Sequence, residues 1–127
     1  MPYNYDDENI FAKILRGEIP NKTVVETEHT LAFEDIQPQA PTHVLVIPKG
    51  RYVCFDHFYG EASDAEILDF HRVAAQICGD LGVAPGGGGA GYRTITNAGQ
   101  DGVQEVPHYH LHILAGRPLG RMLPPVS

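Results

Sequence analysis

The apolar positions of this 127-residue chain change period along its length. In NIFAKILRGEIP, Ile10, Phe11, Ile14 and Leu15 recur at helical spacing behind Asn9, a natural N-cap, and Gly17 and Pro20 end the run. The period then falls towards two. TVVE, TLAFEDI and THVLVIPK, rich in β-branched residues, predict three strands. Between the last two, QPQAP carries two prolines that cannot join a ladder in mid-strand, so it marks a rigid loop. SDAEILDFHRVAAQICGDLG predicts the longest helix. Ser63 and Glu66 form a capping-box signature, Ile67, Phe70, Ala74, Ile77 and Leu81 trace one apolar stripe, and Gly79 or Gly82 marks the exit. The glycine run APGGGGAG has no Gly-Lys-Ser/Thr after it and reads as a connection rather than a phosphate loop. YRTITNA is then a strand, GQDGVQEVP a loop, and HYHLHIL the last strand. The order helix, strands, helix, strands predicts one α+β domain over residues 1–127 with a largely antiparallel sheet, residues 1–8 forming a flexible arm.

Composition narrows the partners. With 43% apolar and 20% charged residues, the chain is an ordinary globular sequence. Its formal net charge of −7, with Lys and Arg scattered, excludes a protein that wraps a nucleic acid polymer. No apolar run is as long as a membrane span, and the acidic start MPYNYDDENI lacks the features of a secretory signal. A cytoplasmic location without a membrane partner is expected. Cys54 and Cys78 show no metal-type spacing and are expected as small buried or half-buried apolar residues.

The chemistry concentrates in PHYHLHIL. On a strand, His108, His110 and His112 share one face, and Tyr109, Leu111 and Ile113 share the other. The apolar face is expected on the core and the histidine face towards a cleft or solvent. Neighbouring Cα atoms on that face are roughly 7 Å apart and the outer pair about 13 Å apart. That is too wide for one metal ion to take all three through bonds of about 2 Å, although two of them with His43 remain an alternative set. The other reading is nucleophilic catalysis. A neutral imidazole, with an unperturbed pKa of about 6.5, attacks well near pH 7 and also moves protons. Attack at phosphorus would give a phosphorus–nitrogen intermediate that water later hydrolyses.

HYHLHIL resembles the His-x-His-x-His motif of the histidine triad (HIT) family. IFAKILRGEIP resembles the family's opening helix, AFEDIQPQAPTHVLVIPK the ribose-binding loop and following strand of its Hint branch, and GRPLGRML the tail of bacterial Hint proteins. The resemblance covers about Asn9 to Leu123. It implies a HIT-like α+β fold with a five-stranded sheet and two helices, the sheet continuing across a homodimer and the tail at 117–127 lying near the active site. It also implies a nucleotide hydrolase that cleaves the P–N bond of purine nucleoside 5'-phosphoramidates, AMP or GMP joined to an amine, through a covalent nucleotidyl-histidine and without a cofactor or metal. By the same resemblance His110 is the nucleophile, His108 supports it, His112 holds phosphate oxygens, and His43 stands near the phosphate. Asp35 and Ile36 match the ribose pocket, and Asn97 and Gln104 match residues beside the phosphate. Three positions depart from the pattern. Glu105 stands where animal Hint proteins carry a Ser and is expected to meet the departing amine as an acid. Val103 replaces a glycine in the phosphate loop. Ile10-Phe11-Ala12-Lys13 replaces the Cys-x-x-Cys of some members. The alternatives are hydrolysis of dinucleoside polyphosphates, a nucleotide-binding regulator with vestigial catalysis, and a metal-dependent hydrolase.

Overall fold

The computed structural model describes residues 3–125. Helix α1 (Ile10–Leu15) leads into β1 (Thr23–Glu26), β2 (Thr30–Glu34) and β3 (Thr42–Pro48). Helices α2 (Phe55–Glu61) and α3 (Asp64–Asp80) follow, then a short 3-10 turn, β4 (Tyr92–Ile95) and β5 (Leu111–Ala115). All pairings are antiparallel, in the order β1-β2-β3-β5-β4. The expected α+β fold with an antiparallel five-stranded sheet is therefore present, but with three helices instead of two. The missed helix, α2, has only seven residues, contains Gly60, and starts at Cys54 without a side-chain cap. Its local helix signal is weak; burial of Phe58 against Phe70 and Tyr109 supplies what propensity does not.

The two predicted helix starts form as local chemistry dictates. Asn9 Oδ1 accepts the Ala12 N–H at 2.9 Å, and Ser63 and Glu66 close a reciprocal capping box. Both helices also end alike. Gly17 and Gly82 take left-handed φ values of 79° and 72°. At each, the two following-turn amides return to the last carbonyls: Gly17 to Ile14 and Glu18 to Lys13, Gly82 to Gly79 and Val83 to Cys78. The α3 stripe differs in detail from expectation. Phe70, Val73, Ile77 and Cys78 are its buried positions, whereas Leu81 is the exposed C-cap.

Strand alternation sorts the sheet into two faces. Ala32, Val44, Val46 and Ile113 pack with Phe58, Phe70, Val73 and Ile77 under α2 and α3. Leu31, Phe33, Leu45 and Ile47 point the other way and pack with Phe11 of α1. His43 on β3 and His112 on β5 share that second face. Cys54 and Cys78 are both buried free thiols.

Three expectations about the chain's ends and last strand change. HYHLHIL is not one strand: pairing begins at Leu111, so His108 and His110 precede the ladder. The reason is Pro48, the end of β3, which has no N–H to give the next rung; the Tyr109 N–H bonds Tyr52 O instead. Of the expected flexible arm, residues 3–8 are fastened to the body. Arg51 grips Asp7 with two bonds of 2.9 and 2.8 Å, and Tyr3 stacks on His57 with ring centres 4.9 Å apart. The tail is held beside β4, where Arg93 donates to the carbonyls of Gly120 and Arg121. Residues 1–2 and 126–127 of the expected arm and tail lie outside the described residues. No helix among the described residues is long and apolar enough to cross a membrane.

Candidate active site

On the α1 face of the sheet lies a cleft of about 630 Å³. One wall is apolar, made by Ile10, Phe11, Ile14, Ile19, Phe33 and Leu45. The other end is polar and includes Asp35, Gln39, Asn97, Glu105, His110 and His112. Three acidic side chains, Glu34, Asp35 and Glu105, line the cleft, and among the described residues no Lys or Arg does.

His110 enters this cleft with its proton already assigned. Its Nδ1 lies 2.7 Å from the His108 carbonyl oxygen, which can only accept. Nδ1 therefore carries the hydrogen, and Nε2 presents a lone pair. The residue is 6% exposed, and its ring stands near-perpendicular to that of Phe11 with ring centres 5.0 Å apart. Burial pushes its pKa below the ordinary imidazole value, opposed by the nearby charges of Asp35 and Glu105.

His108 does not face the cleft. It is fully buried, with Nε2 donating to Pro48 O at 2.8 Å and Nδ1 meeting the Tyr5 hydroxyl at 2.5 Å. The shared histidine face predicted from spacing thus holds for His110 and His112 alone. The apolar half of that prediction stands: Tyr109 and Ile113 are buried in the α3-side core.

His112 and His43 are fixed as a pair. The Gln39 N–H donates to His43 Nδ1 at 3.0 Å, so His43 carries its proton on Nε2. That Nε2–H donates to His112 Nδ1 at 2.9 Å, and the hydrogen of His112 is left on Nε2, its free ring nitrogen. The polar end of the cleft therefore offers a lone pair from His110 beside an N–H donor from His112, with ring centres 5.0 Å apart. Burial holds His43 below the usual imidazole range despite the opposing Asp35. Burial, followed by His110 and His43, pushes His112 down to about 4.

Asp35 divides its carboxylate. Oδ1 accepts the Gln37 N–H at 2.8 Å and tightens the loop, while Oδ2 stands 3.4 Å from His43 Nε2. Asp35, His43 and His112 place ligand atoms within 4.8 Å of one another. A cation on these atoms would displace the proton between His43 and His112 and force apart nitrogens now in hydrogen-bond contact. As arranged, the donor set suits a proton relay better than an ion.

The remaining sequence candidates divide. Asn97, Val103, Glu105 and the exposed Ile36 line the cleft. Val103 holds φ at 55°, a left-handed value costly for a β-branched side chain, by about 1–3 kcal/mol. Gln104 is not free to donate into the cleft: its amide nitrogen is spent on Val53 O at 2.6 Å and Val106 O at 2.9 Å. Its side chain instead ties the loop before β5 to the start of α2. The tail meets the cleft margin at Arg117, which donates to Gln39 O at 3.0 Å. Spacing gave no hint of the Gln39 amide or of Tyr5; both are brought in by long-range packing.

A HIT domain match spans residues 16–119. The chain belongs to the HIT family. Among relatives, it is 55% identical over 123 residues to an uncharacterized 13.2 kDa HIT-like protein of Azospirillum brasilense, covering 97% of this chain and 98% of that one. It is 44% identical over 117 residues to the purine nucleoside phosphoramidase of Escherichia coli (strain K12), covering 92% and 94%. Among solved HIT structures, a histidine triad protein from Clostridium difficile superposes with a TM-score of 0.78 at 38% identity, over 94% of this chain and all of that one. A HIT family hydrolase from Legionella pneumophila gives a TM-score of 0.76 at 38% identity, over 89% and 96%.

Proposed function

We propose that this HIT protein hydrolyses the P–N bond of purine nucleoside 5'-phosphoramidates, of the AMP–amine type, through a nucleotidyl-His110 intermediate. The carrying observation is the His110 tautomer: Nδ1–H on the His108 carbonyl and a lone pair on Nε2 inside the cleft. In the reaction, Nε2 bonds to the α-phosphorus and the bond to the amine breaks. Its electron pair stays with the departing nitrogen, which takes a proton from Glu105. Water then gives a proton back to Glu105, attacks phosphorus and returns the pair to Nε2, releasing the nucleotide. The His112 Nε2–H stabilises charge on a phosphate oxygen, held in direction by His43. The apolar wall takes the base, and Asp35 with Ile36 takes the ribose. Glu105 serves the departing amine, where general-acid help is worth about 10²–10⁴-fold.

The charge of the cleft separates this reading from hydrolysis of dinucleoside polyphosphates. A chain of phosphates meeting the carboxylates of Glu34 and Asp35, with no Lys or Arg among the described lining residues, would be repelled, whereas an amine is not. A nucleophilic nitrogen presented to the cleft also has no use in a regulator that only binds nucleotides. By family resemblance, a homodimer is part of the proposal; β4 is an edge of the sheet and so available for pairing. The test is release of amine from an AMP–amine phosphoramidate, with and without chelator, with trapping of labelled nucleotide on the protein. We expect chelator-insensitive turnover, label on His110, and neither turnover nor label in His110→Ala. Turnover retained in that variant would refute the assignment.

A further inference from the structure

We infer that Tyr5, in the segment before α1, is a positioning residue that fixes His110 through His108. The inference rests on the nucleophilic role proposed for His110. The acceptor that sets the His110 tautomer is a main-chain carbonyl at residue 108, three residues before β5 starts. No ladder hydrogen bond holds that carbonyl in place, so its position depends on how the rest of His108 is anchored. The anchors are visible. The His108 N–H bonds Val106 O at 2.8 Å, its ring Nε2 bonds Pro48 O, and its ring Nδ1 is closed by the Tyr5 hydroxyl.

Because Pro48 O can only accept, Nε2 carries the ring hydrogen and Nδ1 must accept. Tyr5 Oη is the donor that satisfies it, across 103 residues of sequence. His108 is wholly buried, so without that hydroxyl no bulk water takes its place and a polar nitrogen is left without a partner. Tyr5 is itself held on two sides. Arg51 lies over its ring, 5.1 Å from the centre, and grips Asp7 two residues on. The contacts thus run from Arg51 to Tyr5 to the His108 ring, and from the His108 carbonyl to the His110 ring. It reaches the nucleophile from behind, without touching the nucleotide pocket.

Tyr5→Phe removes one oxygen and keeps the ring under Arg51. In substrate-free protein, ¹⁵N spectra of the histidine side chains read the tautomers directly. Wild type is expected to show His110 with its proton on Nδ1 alone; in Tyr5→Phe that signal gives way to a mixture of tautomers. With a phosphoramidate substrate, kcat is expected to fall about ten-fold, as for a small misplacement of a reacting group, while KM changes little. Tyr3→Phe, whose hydroxyl meets Asp56 elsewhere on the body, is the matched control and should leave both readouts as in wild type. A retained Nδ1–H tautomer in Tyr5→Phe, or a changed tautomer with an unchanged kcat, overturns the inference. Should the protein turn over no phosphoramidate, the spectra alone decide, so failure of the proposed activity and failure of this inference remain distinct.

Discussion

The buried His108 should make the stability of this protein pH-dependent in a defined window. Burial pushes its pKa from 6.5 down to about 4, with a Pro48 hydrogen bond opposing and His110 adding to the shift. Between those values the unfolded chain binds a proton at this residue and the folded chain does not. Its contribution is fully present above pH 6.5, is lost as pH falls towards 4, and is constant below. At about 1.4 kcal/mol per unit, the loss comes to about 3 kcal/mol. Urea unfolding of wild type and His108→Asn, measured from pH 7.5 to 4, isolates it, because every other titrating group is common to both proteins. We expect His108→Asn to be the less stable protein at pH 7 but to lose about 3 kcal/mol less than wild type across the window. With an ordinary denaturant slope, that difference moves midpoints by about 1–3 M urea. Stability curves that run parallel within about 1 kcal/mol would show that His108 is not held neutral by burial.

Activity should follow a related rule: burial lowers the pKa of His110, so kcat/KM stays flat from pH 8 to about 6.5 and declines only in more acid solution. An acid limb centred at pH 7 or above would contradict this. Gln104→Leu leaves the carbonyls of Val53 and Val106 without their donor and should destabilise the fold by about 1–3 kcal/mol in urea at unchanged slope. A variant that kept full stability and lost only nucleotide affinity would restore Gln104 as a phosphate contact. Glu105→Gln should lower kcat/KM by about 10²-fold for poor leaving amines, which need a proton to depart, and far less for good leaving groups. Equal losses across both substrate sets would remove its role as an acid towards the amine.

Local chemistry was legible in the sequence wherever the partners are close in the chain. Asn9 with Ala12, and Ser63 with Glu66, sit three residues apart and behave as their pattern predicts. Alternation placed Tyr109 and Ile113 on the core, and the prolines of QPQAP marked the loop between β2 and β3. Period-two spacing failed at His108 because it assumes a continuous strand, whereas Pro48 on the neighbouring strand stops the ladder two residues later in the chain. A residue on one strand cannot report that its partner lacks a hydrogen. Gln104 failed differently. Its chemistry as an amide donor was read correctly, but which acceptors it meets depends on Val53, 51 residues away. His43 and His112 meet across 69 residues; spacing offered them only as an alternative metal set, and resemblance alone placed both beside the phosphate.

The oxygen that aims His110 belongs to the peptide backbone. In many histidine-based catalysts a carboxylate does this work, and replacing one side chain or adding one proton disables it. Here the acceptor itself lies beyond both routes: every amino acid at residue 108 supplies the same oxygen, and no pH in ordinary use protonates it. Substitution can displace this oxygen by loosening what anchors residue 108, as at Tyr5, but it cannot delete it.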